Sequence, residues 1–569
     1  MEITENARLL KARYEALKSL RTPWEGLWQE AADYVMPRRD PSMNGTISLT
    51  KDARLFDTTA GQACMTLANG QLAWMSPQES PWFAFTSPPG GESDDDLSLW
   101  LAKCTDRVRE ALAVSNFYTS VHEMYLDRSG FGTGCLFVEP GKKSLFNVQY
   151  WPVGSYVIDE DDEGNVDTVI RCFKLTARQA AQRFGEEKLS QKMRDKLAAG
   201  GAQEQEKVEF LHFIMPRDDA DRDKSKIDDM NMPIASVYME ADGCHICRTS
   251  GYEEMPVMVT RYLEWGSGMG NLYGWSPAFM ALPDARQLNY IQKMLDALAE
   301  KAAFPPVLAP DDLEGEIDPN AGGVTYFSKD LANAGLMPKE WMTQGRYDIG
   351  KDRVLQKQES IKTAFHVDLF QMFAQLDKQM TAREVAERSS EKLIQFSPTF
   401  ARLVTELFNP LLARLFGIAL RGGLLGTASD IPASAVVPVG NGLAEVAPPR
   451  VQYSSRIALA MRALPTLALH RSLELMGGMA QIQATGAPVT DNVDWDKAFR
   501  ESAINDGVPA DYLKSQQGMQ EIREARAQAE AQAQQQQQAM AAADAAAKMG
   551  GIPPESPVGA AIGQQLSAA

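Results

Sequence analysis

The order of segments between residues 276 and 423 constrains this chain more than any single motif does. Apolar residues recur at three- and four-residue spacing over 276–303, which predicts a long helix. Phe304-Pro305-Pro306 ends it, because proline has no amide hydrogen and pushes the preceding residue out of helical geometry. An insert rich in proline, glycine and acids fills 304–349. A second helical run covers 350–373, and a polar break follows at 374–380. Thr381-Ala382-Arg383-Glu384 reads as a capping box, so a helix starts afresh at 381. That helix runs to Gly422-Gly423, with Ser397-Pro398 and Asn409-Pro410 as expected kinks. If continuous, it is roughly 60 Å long.

The N-terminal half mixes two periods. Residues 2–36 place Leu9, Leu10, Tyr14, Leu17, Leu20, Trp24, Leu27 and Trp28 on one helical face. Further helices are expected at 58–75, 94–113, 117–129 and 177–199. Alternating patterns at 135–140, 146–153, 156–175, 207–217, 235–250 and 256–265 predict strands, with turns at 163–165 and near Asp242-Gly243. A further strand fits 434–439. The fold class is therefore α+β and helix-rich. From 512 to 548 the chain is polar and rich in alanine and glutamine, which predicts a solvated helix, and 549–569 reads as disordered.

Charge and cysteine usage narrow the function. The 57 basic and 75 acidic residues leave a formal net charge of −18. A protein that grips nucleic acid needs a basic footprint, so tight DNA binding is not expected. Six scattered cysteines do not form a disulfide framework, which fits reduced thiols and an intracellular origin. The first twenty residues are charged and amphipathic rather than a secretory signal, and no run of 18 apolar residues predicts a membrane span.

No motif demands catalysis. Cys244-His245-Ile246-Cys247 offers two thiols and an imidazole for zinc, but a closed site needs four ligands and no second cysteine pair exists. Ordinary turn and strand residues are the better account. Gly130-Phe131-Gly132-Thr133-Gly134 precedes a strand instead of following one and lacks the lysine of a phosphate loop, so it reads as a tight helix-to-strand turn. The acids at 159–163 and 311–316 lack calcium-loop spacing and read as solvated loops. No catalytic residue, metal ligand or cofactor is assigned.

Several blocks carry a resemblance. They are RYEALKSLRTPWEGLWQEAADYVMPRRD (13–40), Asp57-Thr58-Thr59-Ala60, 67–82, YGWSPAFMALPDARQLNYIQKM (273–294) and MTAREVAERSSEKLIQFSPTFARLVTELFNPLLARLF (380–416), followed by the Gln/Ala-rich tail. In this order they resemble the head-to-tail connecting (portal) proteins of T7-like short-tailed bacteriophages, over nearly the whole chain. The resemblance implies a twelve-subunit ring at one capsid vertex of the virion, assembled in the host cytoplasm. It implies double-stranded DNA as cargo in packaging and ejection. Its implied partners are terminase, scaffold, major capsid protein and a tail adaptor, with no membrane.

By analogy, 1–275 is the wing, 276–303 and 350–373 the stem, 304–349 the clip and 374–382 the channel loop. Residues 383–457 return through the wing with the long kinked helix, 458–548 form a helical crown, and 549–569 a tail. Gln375, Asp377, Lys378, Gln379, Met380 and Arg383 would then lie at the channel, with Lys378 and Arg383 as transient phosphate contacts. Leu288, Ile291, Leu295 and Leu298 would form the stem's subunit interface, bordered by Arg286, Lys293, Asp296 and Glu300. Twelve copies carry about −216 in formal charge, an acidic wall that lets DNA slide. The alternatives are another phage neck or tail structural protein, or a metal- or thiol-dependent enzyme using Cys244 and Cys247.

Overall fold

The computed structural model describes residues 3–37, 55–87, 95–219, 228–264, 271–303, 347–375, 396–427, 429–438, 444–454 and 522–535, with short pieces such as 307–308 and 339–340. The chain divides into two units, Met1–Leu469 and His470–Ala569. In the second, a helix covers 522–535, inside the Ala/Gln-rich stretch. The capping box at 381–384, the acids at 311–316 and the tail from 549 lie outside the described residues.

The first unit opens with helices α1 (Ile3–Tyr34) and α2 (Thr59–Met75), strand β1 (Phe83–Thr86), and helices α3 (Asp95–Val114) and α4 (Phe117–Phe131). The predicted stripe of α1 holds for Tyr14, Leu17 and Trp28, which are buried, whereas Leu9 and Leu20 face solvent. Helix α4 stops at Gly132, whose φ of +85° is a left-handed cap that glycine adopts without strain. A Cβ there would sit 2.0 Å from the Gly274 carbonyl oxygen, so the close approach also demands glycine. The glycine-rich motif is thus the tight turn its position predicted.

Strands β2 (Thr133–Pro140), β3 (Phe146–Trp151), β4 (Tyr156–Glu160) and β5 (Val166–Leu175) follow, then helices α5 (Ala177–Phe184), α6 (Gln191–Ala199) and α7 (Gly201–Gln205). Four more strands, β6 (Val208–Pro216), β7 (Ile234–Glu240), β8 (His245–Tyr252) and β9 (Val257–Arg261), complete two antiparallel sheets ordered β3-β2-β9 and β4-β5-β6-β7-β8. The expected single helix over 177–199 is broken. Gly185 leaves helical space at φ +91°, and Ser190 opens α6 by accepting the Met193 amide through its hydroxyl. Period-two alternation then gives the larger sheet two apolar faces. Leu211, Phe213, Val237 and Met239 pack under α1, while Phe173, Phe210, Tyr238 and Cys247 pack under α5 and α6.

His212 shows what burial does in this sheet. Its ring stacks on Tyr238 at 3.8 Å between centroids, and its Nε2 meets Ser236 Oγ at 2.9 Å. Burial, reinforced by Arg183, Arg171 and Arg248, holds its pKa well below the usual histidine range. The unfolded chain therefore binds a proton below about pH 6.5 that the folded chain refuses, so stability falls as pH drops through that value. Asp127 works the other way. Burial pushes its carboxyl up to about 6, although Arg39 and the Val153 amide pull it down. The folded state then holds the extra proton between about 4 and 6 and is favoured by acid. His212→Gln isolates the first effect. Its stability relative to wild type is expected to improve by up to about 1.4 kcal/mol per pH unit below 6.5. Parallel urea midpoints from pH 7 to 5 would exclude this origin.

After the sheets come α8 (Pro277–Ala303), the short pair β10 (Val307–Leu308) and β11 (Lys339–Glu340), α9 (Tyr347–Ala364), α10 (Val367–Gln375) and a long helix α11 (Phe396–Arg421). The second helical run is not continuous. It breaks at His366, whose φ of +53° is left-handed. Within α11 the expected kink at Asn409-Pro410 is a π turn, Val404–Phe408, in which the Asn409 amide donates to the Val404 carbonyl five residues back. Pro410 offers no amide to the Glu406 carbonyl, and widening the turn absorbs that loss. By length and composition α11 could cross a bilayer, yet it is largely buried inside this fold.

The last strands are β12 (Val436–Pro438), β13 (Ala444–Val446) and β14 (Arg450–Tyr453). β14 pairs with β1, Phe83 opposite Tyr453, and closes the unit between segments 370 residues apart in sequence. Trp82, Phe83, Phe85, Phe117, Phe408 and Phe416 fill the space beneath that pair.

Candidate subunit interface

Helices α8 and α9 form an antiparallel hairpin. Asp284 takes Lys357 Nζ at 2.8 Å and Ser360 Oγ at 2.6 Å near one end. Leu295 lies against Gly350 near the other, where a Cβ on residue 350 would be 2.5 Å from Leu295 Cδ2. Ala278, Leu282, Ala285, Leu288 and Leu295 of α8 point inward, with Val354 and Ile361 of α9. At three- and four-residue spacing these bury one face of each helix.

The opposite face of α8 is unusual for solvent. Met280, Tyr290 and Met294 are 58%, 63% and 45% exposed. With exposed Pro283 and Gln287 they step three, four, three and four residues along the helix. That is the spacing of a seam that packs against another helix. On α9, Ile349 and Leu355 are also more than half exposed. Large apolar side chains grouped on one hairpin mark a contact surface.

The four residues expected at this interface divide. Leu288 and Leu295 are buried within the chain, while Ile291 and Leu298 are half-buried. A helical pattern shows which residues share a face, not which face meets solvent. Two of the border charges have partners inside the chain. Arg286 lies 3.5 Å from Glu30, and Lys293 stands over the Phe56 ring at 5.9 Å. Gln375 is the last residue of α10. Asp377, Lys378, Gln379, Met380 and Arg383 lie outside the described residues. Tyr290 and Met294 stand beside Ile291 and Leu295 in the sequence, on the exposed side of the same helix.

The π turn anchors a second feature absent from the sequence reading. Arg261 at the end of β9 has a side chain 3% exposed. Its backbone amide donates to Glu406 Oε2 at 2.6 Å, and its Nε and Nη2 donate to Glu406 Oε1 at 3.1 and 2.9 Å. Glu160 of β4 and Glu264 complete the acid shell, and Arg402 bridges Glu264 and Glu406. Behind them Arg128 is fully buried, donates to the Thr399 carbonyl at 3.1 Å and lies over the Tyr262 ring. Burial pulls its pKa down to about 10. Three arginines and three glutamates thus balance, tying both sheets to α11. The acidic turn at 159–163 is only partly solvated, because Glu160 belongs to this network.

The two thiols of Cys244-His245-Ile246-Cys247 face opposite sides of the sheet. Cys244 packs with the α1 face and Cys247 with the α5–α6 face. They do not meet at one ion, because the sheet lies between the two clusters they join.

Residues 7–513 match the family model described as bacteriophage head to tail connecting protein. The chain is 29% identical over 535 residues to the portal protein of Salmonella phage epsilon15, covering 93% of this chain and 92% of that protein. It is 32% identical over 552 residues to the probable portal protein of Bordetella phage BPP-1, covering 96% and 95%.

Proposed function

This chain belongs to the bacteriophage head to tail connecting protein family, whose members include phage portal proteins, and from that premise we propose that it closes into a ring of twelve copies at the capsid vertex. The observation that carries this reading is the exposed 3-4-3-4 seam on α8, with Met280, Tyr290 and Met294 as its large apolar members, backed by an already packed inner face. One face feeds the fold and the other is left for a neighbour. A head-to-tail contact of this kind generates a ring when its rotation closes. Tyr290 and Met294 form the centre of the contact, with half-buried Ile291 and Leu298 at its flank.

Double-stranded DNA passes through the ring during packaging and ejection. The formal charge of −18 per chain suits a conduit that must not hold its cargo. Segment 374–382, which begins with the last two residues of α10, lines the channel with Gln375, Asp377, Lys378, Gln379 and Met380, and Arg383 lies just beyond it. Segment 304–349 is the clip, which docks terminase and then the tail adaptor. Scaffold and major capsid protein meet the wing during assembly in the host cytoplasm. The role is structural, and no step of it needs a catalytic residue.

Electron microscopy of the purified protein, paired with native mass measurement, tests this. Closed rings of twelve copies are expected, and rings in which 375–380 is replaced by Gly/Ser should keep their copy number but show a wider bore. A stable monomer would overturn the ring. An unchanged bore would remove the loop from the channel.

A further inference from the structure

We propose that Glu240, His245 and Cys247 form a binding site for one divalent cation of the zinc class. The hairpin β7–β8 places them. Glu240 and His245 are directly opposed in the antiparallel register. Cys247 lies two residues beyond His245, on the same face, and is the extra residue of a bulge where the register shifts between Tyr238 and Met239. The three ligand atoms lie within 4.8 Å of one another. Zinc bonds of about 2.0–2.3 Å set neighbouring tetrahedral ligands roughly 3.3–3.8 Å apart, so an inward shift of about 1 Å closes the site.

The surrounding bonds already orient the ligands. The backbone amide and hydroxyl of Ser190 donate to the two oxygens of Glu240 at 3.0 and 2.6 Å. His245 Nε2 meets the Lys188 carbonyl at 3.1 Å. A carbonyl only accepts, so Nε2 carries the hydrogen and Nδ1 keeps its lone pair for a metal. A histidine fixed through its second nitrogen, beside a carboxylate held by hydrogen bonds, is the usual support of a metal site.

The chemistry of the set selects the ion. Thiolate, imidazole and carboxylate together favour zinc over magnesium or calcium. Cys247 Sγ points its hydrogen at Glu240 Oε1, 3.7 Å away. On binding, that proton leaves to solvent and the metal–sulfur bond forms in its place. One thiolate and one carboxylate then neutralise a 2+ ion. Cys247 and Lys188 also line a cleft of about 1090 Å³, so open space reaches the thiol side of the site. The bound ion would pin the hairpin to the α5–α6 link through Lys188 and Ser190.

The test uses full-length protein stripped with chelator, then titrated with cobalt(II) alone. One cobalt per chain with a thiolate-to-metal charge-transfer band is expected, and zinc should displace it. Cys247→Ser should abolish the band, while Cys244→Ser, altered on the other face, should keep it. His245→Ala, a change at a half-exposed position that spares the fold, should weaken cobalt binding roughly tenfold or more. Absence of the band in the wild type, or its survival in Cys247→Ser, overturns the proposal. So does its loss in a Cys244→Ser protein with wild-type circular dichroism. None of these readouts depends on ring formation.

Discussion

Replacing Tyr290 and Met294 together by aspartate is expected to give a folded chain that remains monomeric under conditions in which the proposed wild-type ring assembles. Both side chains are about half exposed or more, so the change costs the isolated chain little. In a ring it would bury two uncompensated charges at every contact. At several kcal/mol per contact, association weakens by at least about a thousandfold. Sedimentation of wild type and variant at equal concentration, with circular dichroism as the folding control, decides it. Intact rings from the variant would move the interface off this face of α8. The buried neighbour does not serve the same purpose. Leu295→Ala opens a cavity against Gly350 and destabilises the chain by roughly 2–5 kcal/mol, so lost rings would say nothing about contact.

The other large effect is expected at Glu406. Its carboxylate accepts the Arg261 amide and two guanidinium hydrogens, all inside the fold. Glu406→Ala leaves the Arg261 guanidinium with Glu160, Glu264 and the Gly164 carbonyl, and strands a buried backbone amide. Removing one partner from a buried pair costs roughly 3–5 kcal/mol, whereas a new apolar pair of matched shape can be neutral. The denaturation midpoint should therefore drop sharply in Glu406→Ala and less in Glu406→Gln, which retains an acceptor. A midpoint within error of wild type for the alanine variant would show the network to be dispensable. Because Glu406 sits in the π turn, the loss should also free β9 from α11. Faster amide exchange confined to 257–264 and 404–409 would report that release.

Much of the local structure is legible in the chain. Alternation of apolar residues located the strands of both sheets within a residue or two, except that β9 ends four residues earlier than its pattern suggests, and proline and glycine placed the C-terminal ends of α8 and α11. Gly132 was readable as a turn because a phosphate loop needs the opposite order of strand and helix. A disturbance of the helix at Asn409-Pro410 was readable too, though its form, a π turn just before the proline, was not. Proline announces a missing amide, and whether the helix bends or widens depends on what packs around it.

The break at Gly185 was legible in principle, since glycine followed five residues later by serine is a stop and a start. The strong helical composition of 177–199 concealed it. The split at His366 carried no such signal, because a histidine at positive φ is held there by its surroundings rather than by its own preference.

By itself, then, the sequence determined the short-range features: which residues are helical or extended, where chain direction changes, and which family the blocks belong to. Those depend on contacts a few residues apart or on motifs that survive in order. Only the tertiary structure decided which side of each element is spoken for. It turned Leu288 and Leu295 inward and left Tyr290 and Met294 outside. It set Cys244 and Cys247 on opposite faces while bringing Glu240 to His245, and joined Arg261 to Glu406 across 145 residues. The physical reason is that periodicity defines a face but not its surroundings. Burial and pairing are set by segments far away in the chain, and no local pattern records where those segments pack.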